Sequence, residues 1–423
     1  MIDNEILPER TLLVAIPKKG TSKETIEEHL EELSSLVVTA GGEVAEAIYQ
    51  EVLSLNPATA IGKGKVEEIK NIIKEKEINL VVFDDELSPV QTKNLESEFQ
   101  VKVIDRTTLI LAIFAKHART KEAKAQVELA QLQYMLPRLT RLWTHLSKQY
   151  GGIGTRGPGE KQIESDRRMI KLRIQRLQKK LKEIAKQKEI ERKPRSSFYK
   201  FAIVGYTNAG KSTLMHHLTN ANVLVEDKLF ATLDTTTKSL RLPNDKIALI
   251  SDTVGFIRKL PTHLIASFRS TLNEVQFADA LIHIADASYR FLAEQIGIVE
   301  DTLESLNVVH KPRLLVLNKI DLIQDKEYLK FLQDEYPEAI LISAERGINI
   351  STLLNRMTSL MESEIRYVKL FLPYTKMELL PLVYKFSCIV QKEEKNEGIE
   401  FLTKLFKQEE NYFVKIFQSY ILN

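Results

Sequence analysis

Lys211 and Ser212 close the run Gly205-Tyr206-Thr207-Asn208-Ala209-Gly210-Lys211-Ser212, a G-x-x-x-x-G-K-S pattern suited to holding a polyphosphate. Its glycines let backbone amides curl around a phosphate, Lys211 can reach the β- and γ-phosphates, and the Ser212 hydroxyl suits Mg²⁺. Asp252-Thr253-Val254-Gly255 adds a carboxylate for the metal, usually through water, and a glycine whose amide can approach a γ-phosphate closely. Asn318-Lys319-Ile320-Asp321 adds a carboxylate of a different use. The Asp321 side chain can accept from both the ring N–H and the exocyclic amine of guanine. Adenine lacks that amine and presents an acceptor in place of the N–H, so Asp321 selects GTP over ATP. Ser343-Ala344-Glu345 matches the remaining guanine-side loop. In Phe230-Ala231-Thr232-Leu233-Asp234, Thr232 would close over Mg²⁺ and the γ-phosphate as a first switch; Thr235, Thr236 and Thr237 follow at once, and a surface-loop threonine is the lesser alternative.

Such groups act only if rigid elements mount them. Phe201–Val204, Ile247–Ile250, Leu314–Leu317 and Ala339–Ile342 are short apolar runs of the kind that form buried parallel strands, and a motif follows each one. Thr213 to Leu218 can continue as a helix, whose N-terminus adds partial positive charge below the phosphates. Four motifs in this order, each at the C-terminal end of an expected strand, lie where open α/β sheets bind ligands. The set resembles a translation-factor-type GTPase. Two details bear on rate. Phe256 stands where many small GTPases carry a glutamine that orients the attacking water, so unassisted hydrolysis should be slow. Asn208 resembles the potassium ligand of several GTPases with G-x-x-N-x-G-K-S, which implies K⁺-stimulated turnover; a side chain that only hydrogen-bonds its own loop is an equal alternative.

A nucleotide domain does not account for 423 residues, and the length suggests about three domains. Hydrophobic content of 43% permits real cores, and a formal net charge of +3 says little about partners on average. The distribution says more: residues 161–195 hold 14 Lys/Arg against 5 Asp/Glu. A single cysteine, Cys388, excludes an intrachain disulfide and fits a reducing cytosol, where at most a loose membrane association is compatible with the chain. Met1 to Arg10 has two glutamates, an aspartate and no apolar core, so no signal peptide is expected. The longest apolar runs, such as Leu109–Ala115, fall far short of the ~20 residues of a spanning helix.

Residues 10–115 alternate strand and helix patterns: strands at Thr11–Ile16, Val44–Val52, Leu80–Asp84 and Val101–Ile104, helices at Lys23–Val38, Lys65–Lys76 and Ser88–Phe99. That alternation implies a small α/β domain with a largely parallel sheet. Gly62-Lys63-Gly64-Lys65 could hold an anion at a helix start, but an ordinary turn is the plainer reading. Leu129, Leu132, Leu136, Leu139, Trp143 and Leu146 form one heptad seam, and Ile170, Ile174, Leu177, Leu181 and Ile184 another. Between them, Gly151-Gly152-Ile153-Gly154-Thr155-Arg156-Gly157-Pro158-Gly159 cannot continue a helix. An antiparallel helical hairpin with a glycine tip follows, and Pro137 should kink or break its first helix near Leu136. Arg156 and the basic second helix suit phosphate contact without sequence specificity; a solvated coiled coil is the alternative.

Gln131 to Leu139, Gly151 to Glu160 and Asp166-Arg167-Arg168, together with the nucleotide loops and Ile61-Gly62-Lys63-Gly64-Lys65, resemble the HflX family of ribosome-associated GTPases over roughly residues 10–365. The resemblance implies a Mg²⁺-dependent GTPase, monomeric, that binds rRNA of the large ribosomal subunit and splits or rescues stalled or idle ribosomes. It implies ribosome contact through Gly151, Gly152, Gly154, Arg156, Gly157 and Gly159, with Lys211, Thr232 and Gly255 in catalysis and Ser212, Thr232 and Asp252 at the metal. An ATP-linked activity of the first domain also goes with the family. Thr235 replaces the proline usual after Phe-Ala-Thr-Leu-Asp, and Glu345 stands at a variable position. The expected architecture is an α/β multidomain chain: an N-terminal α/β domain (1–115), a helical hairpin (116–195), a P-loop GTPase domain with a mostly parallel sheet (196–364) and a small C-terminal α+β domain (365–423) with a helix near Thr375. Two other readings stay open from the residues: a regulatory GTPase whose arm binds another protein or a non-ribosomal RNA, and an RNA-remodelling ATPase centred on the first domain. No DNA partner or transmembrane segment is expected.

Overall fold

A computed structural model describes residues 9–142, 158–192, 198–219, 229–230, 236–243, 245–259 and 274–422. The first unit alternates β1 (Arg10–Ala15), α1 (Lys23–Ala40), β2 (Glu43–Tyr49), α2 (Lys63–Glu75), β3 (Leu80–Phe83), α3 (Pro89–Phe99), β4 (Lys102–Asp105) and α4 (Arg106–His117). Its sheet runs β2-β1-β3-β4 with every pair parallel. Leu80-Val81-Val82-Phe83 is buried throughout because helices cover both faces. Local chemistry sets the helix limits. Ser22 and Ser88 accept from the amides of Thr25 and Gln91 at the starts of α1 and α3, and Gly41 ends α1 in the left-handed region. Gly62 opens α2 without a side-chain cap; Gln50 accepts from its amide at 3.0 Å.

α5 (Lys121–Leu142) and α6 (Pro158–Arg192) form the hairpin. Ala125, Leu129, Leu132, Ile174, Leu177 and Leu181 make one apolar seam, so the first half of α5 meets the second half of α6 and the pair is antiparallel. Arg173 holds Glu128 through two bonds of 2.6 and 2.9 Å. Pro137 does not break the helix: α5 continues through it to Leu142. The missing amide bond is offset by packing, since Tyr134 donates to Asp105 and Arg138 donates to the Leu87 carbonyl and stacks on the Tyr134 ring. Trp143, Leu146 and the glycine tip from Gly151 to Gly157 lie outside the described residues.

The third unit comprises β5 (Tyr199–Gly205), α7 (Lys211–Thr219), β6 (Thr236–Arg241), β7 (Ile247–Asp252), β8 (Ala280–Asp286), α8 (Leu292–Ser305), β9 (Arg313–Asn318), α9 (Lys326–Glu335), β10 (Ile340–Leu341) and α10 (Ile350–Ser363). Its six strands run β10-β9-β8-β5-β7-β6, and only β6 is antiparallel to its neighbour. Gly205, Asp252, Asp286 and Asn318 end their strands along one edge.

The last unit runs β11 (Ile365–Pro373), a 3₁₀ turn over Tyr374–Leu379, α11 (Leu380–Phe386), β12 (Cys388–Lys395), β13 (Gly398–Phe406), α12 (Lys407–Phe417) and β14 (Ile421–Leu422). The helix expected near Thr375 is this turn leading into α11. The antiparallel sheet order β12-β13-β11-β14 makes the unit a split β-α-β-β-α-β motif. Leu370, Leu372, Val383, Phe401, Leu405, Phe413 and Phe417 form its core. No helix among the described residues is long and apolar enough to cross a membrane.

Candidate nucleotide site

β5 delivers the phosphate loop from the centre of the sheet. Gly205 is required by close packing: a Cβ there would lie 2.1 Å from the Ile284 carbonyl oxygen. Asn208 (φ 60°) and Gly210 (φ 93°) give the loop its left-handed turns, and a Cβ on Gly210 would meet the Asn318 amide at 2.2 Å. Lys211 is buried at the start of α7 and donates to the carbonyls of Tyr206 (2.6 Å) and Gly205 (3.3 Å). Burial lowers its pKa to about 8, with Asp252 opposing the shift and Lys319 adding to it. An ammonium held dry among carbonyls at a helix N-terminus is suited to a strongly anionic neighbour.

Asp252 at the end of β7 accepts from the Ser212 hydroxyl at 2.8 Å. A hydroxyl and a carboxylate side by side are the hard oxygen donors Mg²⁺ takes from a protein when phosphates and water complete its shell. Among the described residues no group of three or more His, Cys, Asp or Glu could hold a metal alone, and such a site needs none. Thr253 is fully buried and donates to the Ile203 carbonyl at 2.6 Å, so it fixes its own loop rather than facing a ligand. Val254 packs in the N-terminal core cluster. A Cβ on Gly255 would sit 2.8 Å from Lys211 Nζ and 2.9 Å from Thr207 Cα, space a phosphate needs. Phe256 is 2% exposed and packs with Ala202, Val204 and Val275; its backbone exchanges bonds with Gly205 and Thr207. The position that holds a water-orienting glutamine elsewhere is here a core anchor beneath the phosphate loop.

Asn318 ties three loops together. Its Nδ2 donates to the Ala209 carbonyl and its Oδ1 accepts from the Ala344 amide, both at 2.9 Å. Lys319, with φ 66°, lays its ammonium 2.7 Å from Asp286. Ile320 begins a 3₁₀ turn that carries Asp321, whose 8%-exposed side chain lies 3.6 Å from the exposed Arg346. Ser343 accepts from the Arg346 amide, and Glu345 is exposed. The structure therefore brings together the phosphate, Asp-x-x-Gly, Asn-Lys-x-Asp and Ser-Ala-Glu loops. Ala231, Thr232, Leu233 and Asp234 lie outside the described residues; Phe230 before them is buried edge-on against Phe114, ring centroids 4.7 Å apart.

Sequence reasoning missed how the site is bound to the N-terminal unit. The Tyr206 hydroxyl donates to Glu32 of α1 at 2.7 Å and accepts from the Arg258 amide at 2.9 Å. Asp84, just past β3 and 2% exposed, accepts from Arg106 (2.8 Å), Arg258 (3.2 Å) and Lys259 (2.8 Å). Arg106 also pairs with Glu32, Lys259 with Asp85, and Tyr289 with Glu28. Burial, then the Arg258 charge, lowers Arg106 to about 9, and burial raises Tyr206 to about 12. His29 falls to about 4 through burial and the same arginine. Two carboxylates at the C-terminal edge of one sheet thus grip the segment after the Asp-x-x-Gly loop of the other. Asp84 ends an apolar run and Arg258 follows another, but neither spacing signals that they meet.

The profile of the GTP-binding GTPase N-terminal family matches residues 27–115, that of the GTP-binding GTPase Middle Region residues 117–195, and that of the 50S ribosome-binding GTPase family residues 200–319. The chain is 44% identical over 393 residues to GTPase HflX of Caldanaerobacter subterraneus subsp. tengcongensis, covering 92% of this chain and 90% of that protein. It is 41% identical over 374 residues to GTPase HflX of Escherichia coli (strain K12), covering 88% of each. Among solved structures it is similar to a GTP-binding protein from the archaeon Sulfolobus solfataricus in complex with GDP, with 28% identity, a TM-score of 0.44 and coverage of 84% of this chain and 99% of that one. With relatives at this identity along nearly its whole length and the nucleotide loops assembled on a P-loop sheet, the chain belongs to the HflX family of GTPases.

Proposed function

We propose that this GTPase requires Mg²⁺, binds the large ribosomal subunit as a monomer, and uses GTP to split or rescue stalled or idle ribosomes. The observation that carries the reading is one chain holding both a nucleotide site tied together by Asn318 and an antiparallel arm whose second helix is strongly basic. In this reading Asp321 selects guanine, Lys211 and the loop amides draw charge off the β,γ-bridge, Ser212, Thr232 and Asp252 hold the metal, and Gly255 senses the γ-phosphate. Mg²⁺, when bound, neutralises charge developing on the β- and γ-phosphate oxygens. The basic helix follows rRNA phosphates, and the tip with Gly151, Gly152, Gly154, Arg156, Gly157 and Gly159 approaches the subunit closely. With Phe256 turned into the core, hydrolysis is slow until the ribosome completes the site. Asn208 is exposed on the phosphate loop and its side chain makes no hydrogen bond among the described residues, which favours its use as a K⁺ ligand. Equal turnover in NaCl and KCl would remove that element.

Co-sedimentation with purified large subunits tests the whole. Retention with a non-hydrolysable GTP analogue, release with GDP, and loss of both on shortening residues 151–159 are expected. Absence of pelleting in either nucleotide state would redirect the arm to another RNA or a protein.

A further inference from the structure

Asp286 ends β8 directly beside Asn318, the last residue of β9: the two are partners in register, and the Ala287 amide donates to the Asn318 carbonyl at 2.8 Å. Neighbouring parallel strands thus deliver Asp286 and Lys319 side by side to the edge that carries the nucleotide loops. The Lys319 ammonium lies 2.7 Å from Oδ2 of Asp286. The other oxygen, Oδ1, accepts from the Ser288 amide at 3.0 Å and from the Ser288 hydroxyl at 2.6 Å, so the carboxylate is fixed by its own turn. The rest of that loop is fixed as well. The Tyr289 amide donates to the Asp286 carbonyl at 3.2 Å, its hydroxyl donates to Glu28 of α1, and Arg290 pairs with Glu24 of the same helix. Among the described residues no other cation comes within ion-pair distance of Asp286, and no other carboxylate within that distance of Lys319.

The side chains of this pair are only 15% and 23% exposed, so salt and water screen it less than a surface pair. A free lysine samples many rotamers, and ordering it at the moment a ligand binds weakens the binding. Here the ammonium is already held. The Lys319 backbone is committed too: its φ of 66° is left-handed, a conformation that a residue with a side chain keeps only where its surroundings enforce it. The position of Lys319 gives this rigidity a use. Asn318 before it ties down the phosphate loop through the Ala209 carbonyl, and Asp321 after it carries the carboxylate assigned to guanine. The Lys319 charge also adds to the lowering of the Lys211 pKa, so Lys319 stands where the base-side and phosphate-side loops meet.

We propose that Asp286 is a positioning residue for guanine-nucleotide binding, one that acts through Lys319 by holding its stem and charge in place ahead of the nucleotide. GDP and GTP share the guanosine, so both should feel the loss of Asp286 equally, and the hydrolytic step should not feel it. The proposal rests on the assignment of Asp321 to guanine above.

The test titrates the full chain with fluorescent GDP and with a fluorescent non-hydrolysable GTP analogue. Asp286→Asn keeps the shape and an oxygen for Ser288 but removes the charge that holds Lys319. Both nucleotides should bind about three- to tenfold more weakly, the effect of ordering one long side chain on binding. In steady-state turnover the loss should appear in KM and not in kcat, as for an interaction made equally in the ground and transition states. Lys319→Met keeps the stem without the ammonium. Asp286→Asn should add nothing in that background, whereas a residue that only shapes its own turn would add its full effect there. Wild-type affinity in Asp286→Asn, a loss of kcat at unchanged affinity, or full additivity with Lys319→Met would overturn the proposal. The guanine assignment is tested separately. Asp321→Asn should exchange guanine for xanthine nucleotides, because its amide can donate to the oxygen that xanthine carries in place of the exocyclic amine. If it does so while Asp286→Asn binds GDP as the wild type does, only the role of Asp286 falls. If Asp321→Asn still prefers guanine, the assignment falls and takes this proposal with it.

Discussion

Replacing Asp84 with alanine is the most direct probe of how the N-terminal unit grips the nucleotide site. Asp84 is 2% exposed and accepts from Arg106, Arg258 and Lys259, the two arginines being themselves buried. Removing one member of a buried ion network leaves the others desolvated and short of counter-charge, at a cost of about 3–5 kcal/mol. Two features place this site at the lower end. Glu32 still pairs with Arg106, and Lys259, 40% exposed, can turn to Asp85 or to water. About 3 kcal/mol is therefore expected, concentrated where the two units meet. Because a multidomain chain need not unfold in one step, amide exchange is the better assay than a single melting curve. Amides of α1, the end of β3 and the Phe256–Arg258 segment should exchange on the order of 100-fold faster in Asp84→Ala, while the C-terminal sheet is unchanged. Arg258→Ala should couple to it, the double variant costing clearly less than the sum of the singles. Additive effects with a change under about 1 kcal/mol for Asp84→Ala would refute the idea that this network holds the units together.

Asp321→Asn should weaken GTP binding about 100-fold, from two charge-assisted bonds lost or inverted, with little effect on folding, since Asp321 lies in a short 3₁₀ turn; titration with a fluorescent guanine nucleotide reads it. Leu177→Ala, at a site 4% exposed on the hairpin seam, should cost about 2–4 kcal/mol and loosen α5 from α6, seen as proteolytic nicking of the arm before the GTPase unit. His283, 2% exposed in β8, has its pKa lowered to about 4, by burial first and then by Arg313 and Lys211. The folded state thus favours the neutral ring while the unfolded chain takes up a proton near pH 6.5, so the stabilisation is whole above that pH and is lost as pH falls toward 4. His283→Leu should flatten the decline in denaturation midpoint between pH 6.5 and 4.5; an unchanged slope would show that His283 is not the titrating group.

The nucleotide loops were legible because each is a local device. Gly210 must adopt a left-handed turn, Lys211 must follow at a helix start, and Asp321 must trail Asn318 by three, all written within a few residues of chain. The strands beneath them were legible because parallel strands covered on both faces read as unbroken apolar runs. The hairpin seam likewise follows from period alone, as the cluster of Leu129, Leu132, Ile174, Leu177 and Leu181 attests. Pro137 shows the limit of that local view: propensity alone breaks the helix, but contacts from Tyr134 and Arg138 to the N-terminal unit carry it through. Phe256 is similar, since its residue type declared the missing glutamine but not that the ring would anchor the phosphate loop from below. Only the tertiary structure brings Asp84 to Arg258 across 174 residues, places Glu32 on the phosphate-loop tyrosine, and sets Lys319 against Asp286. Contacts between distant segments leave no period or spacing in a single chain, because packing and charge compensation select them only after the local elements exist.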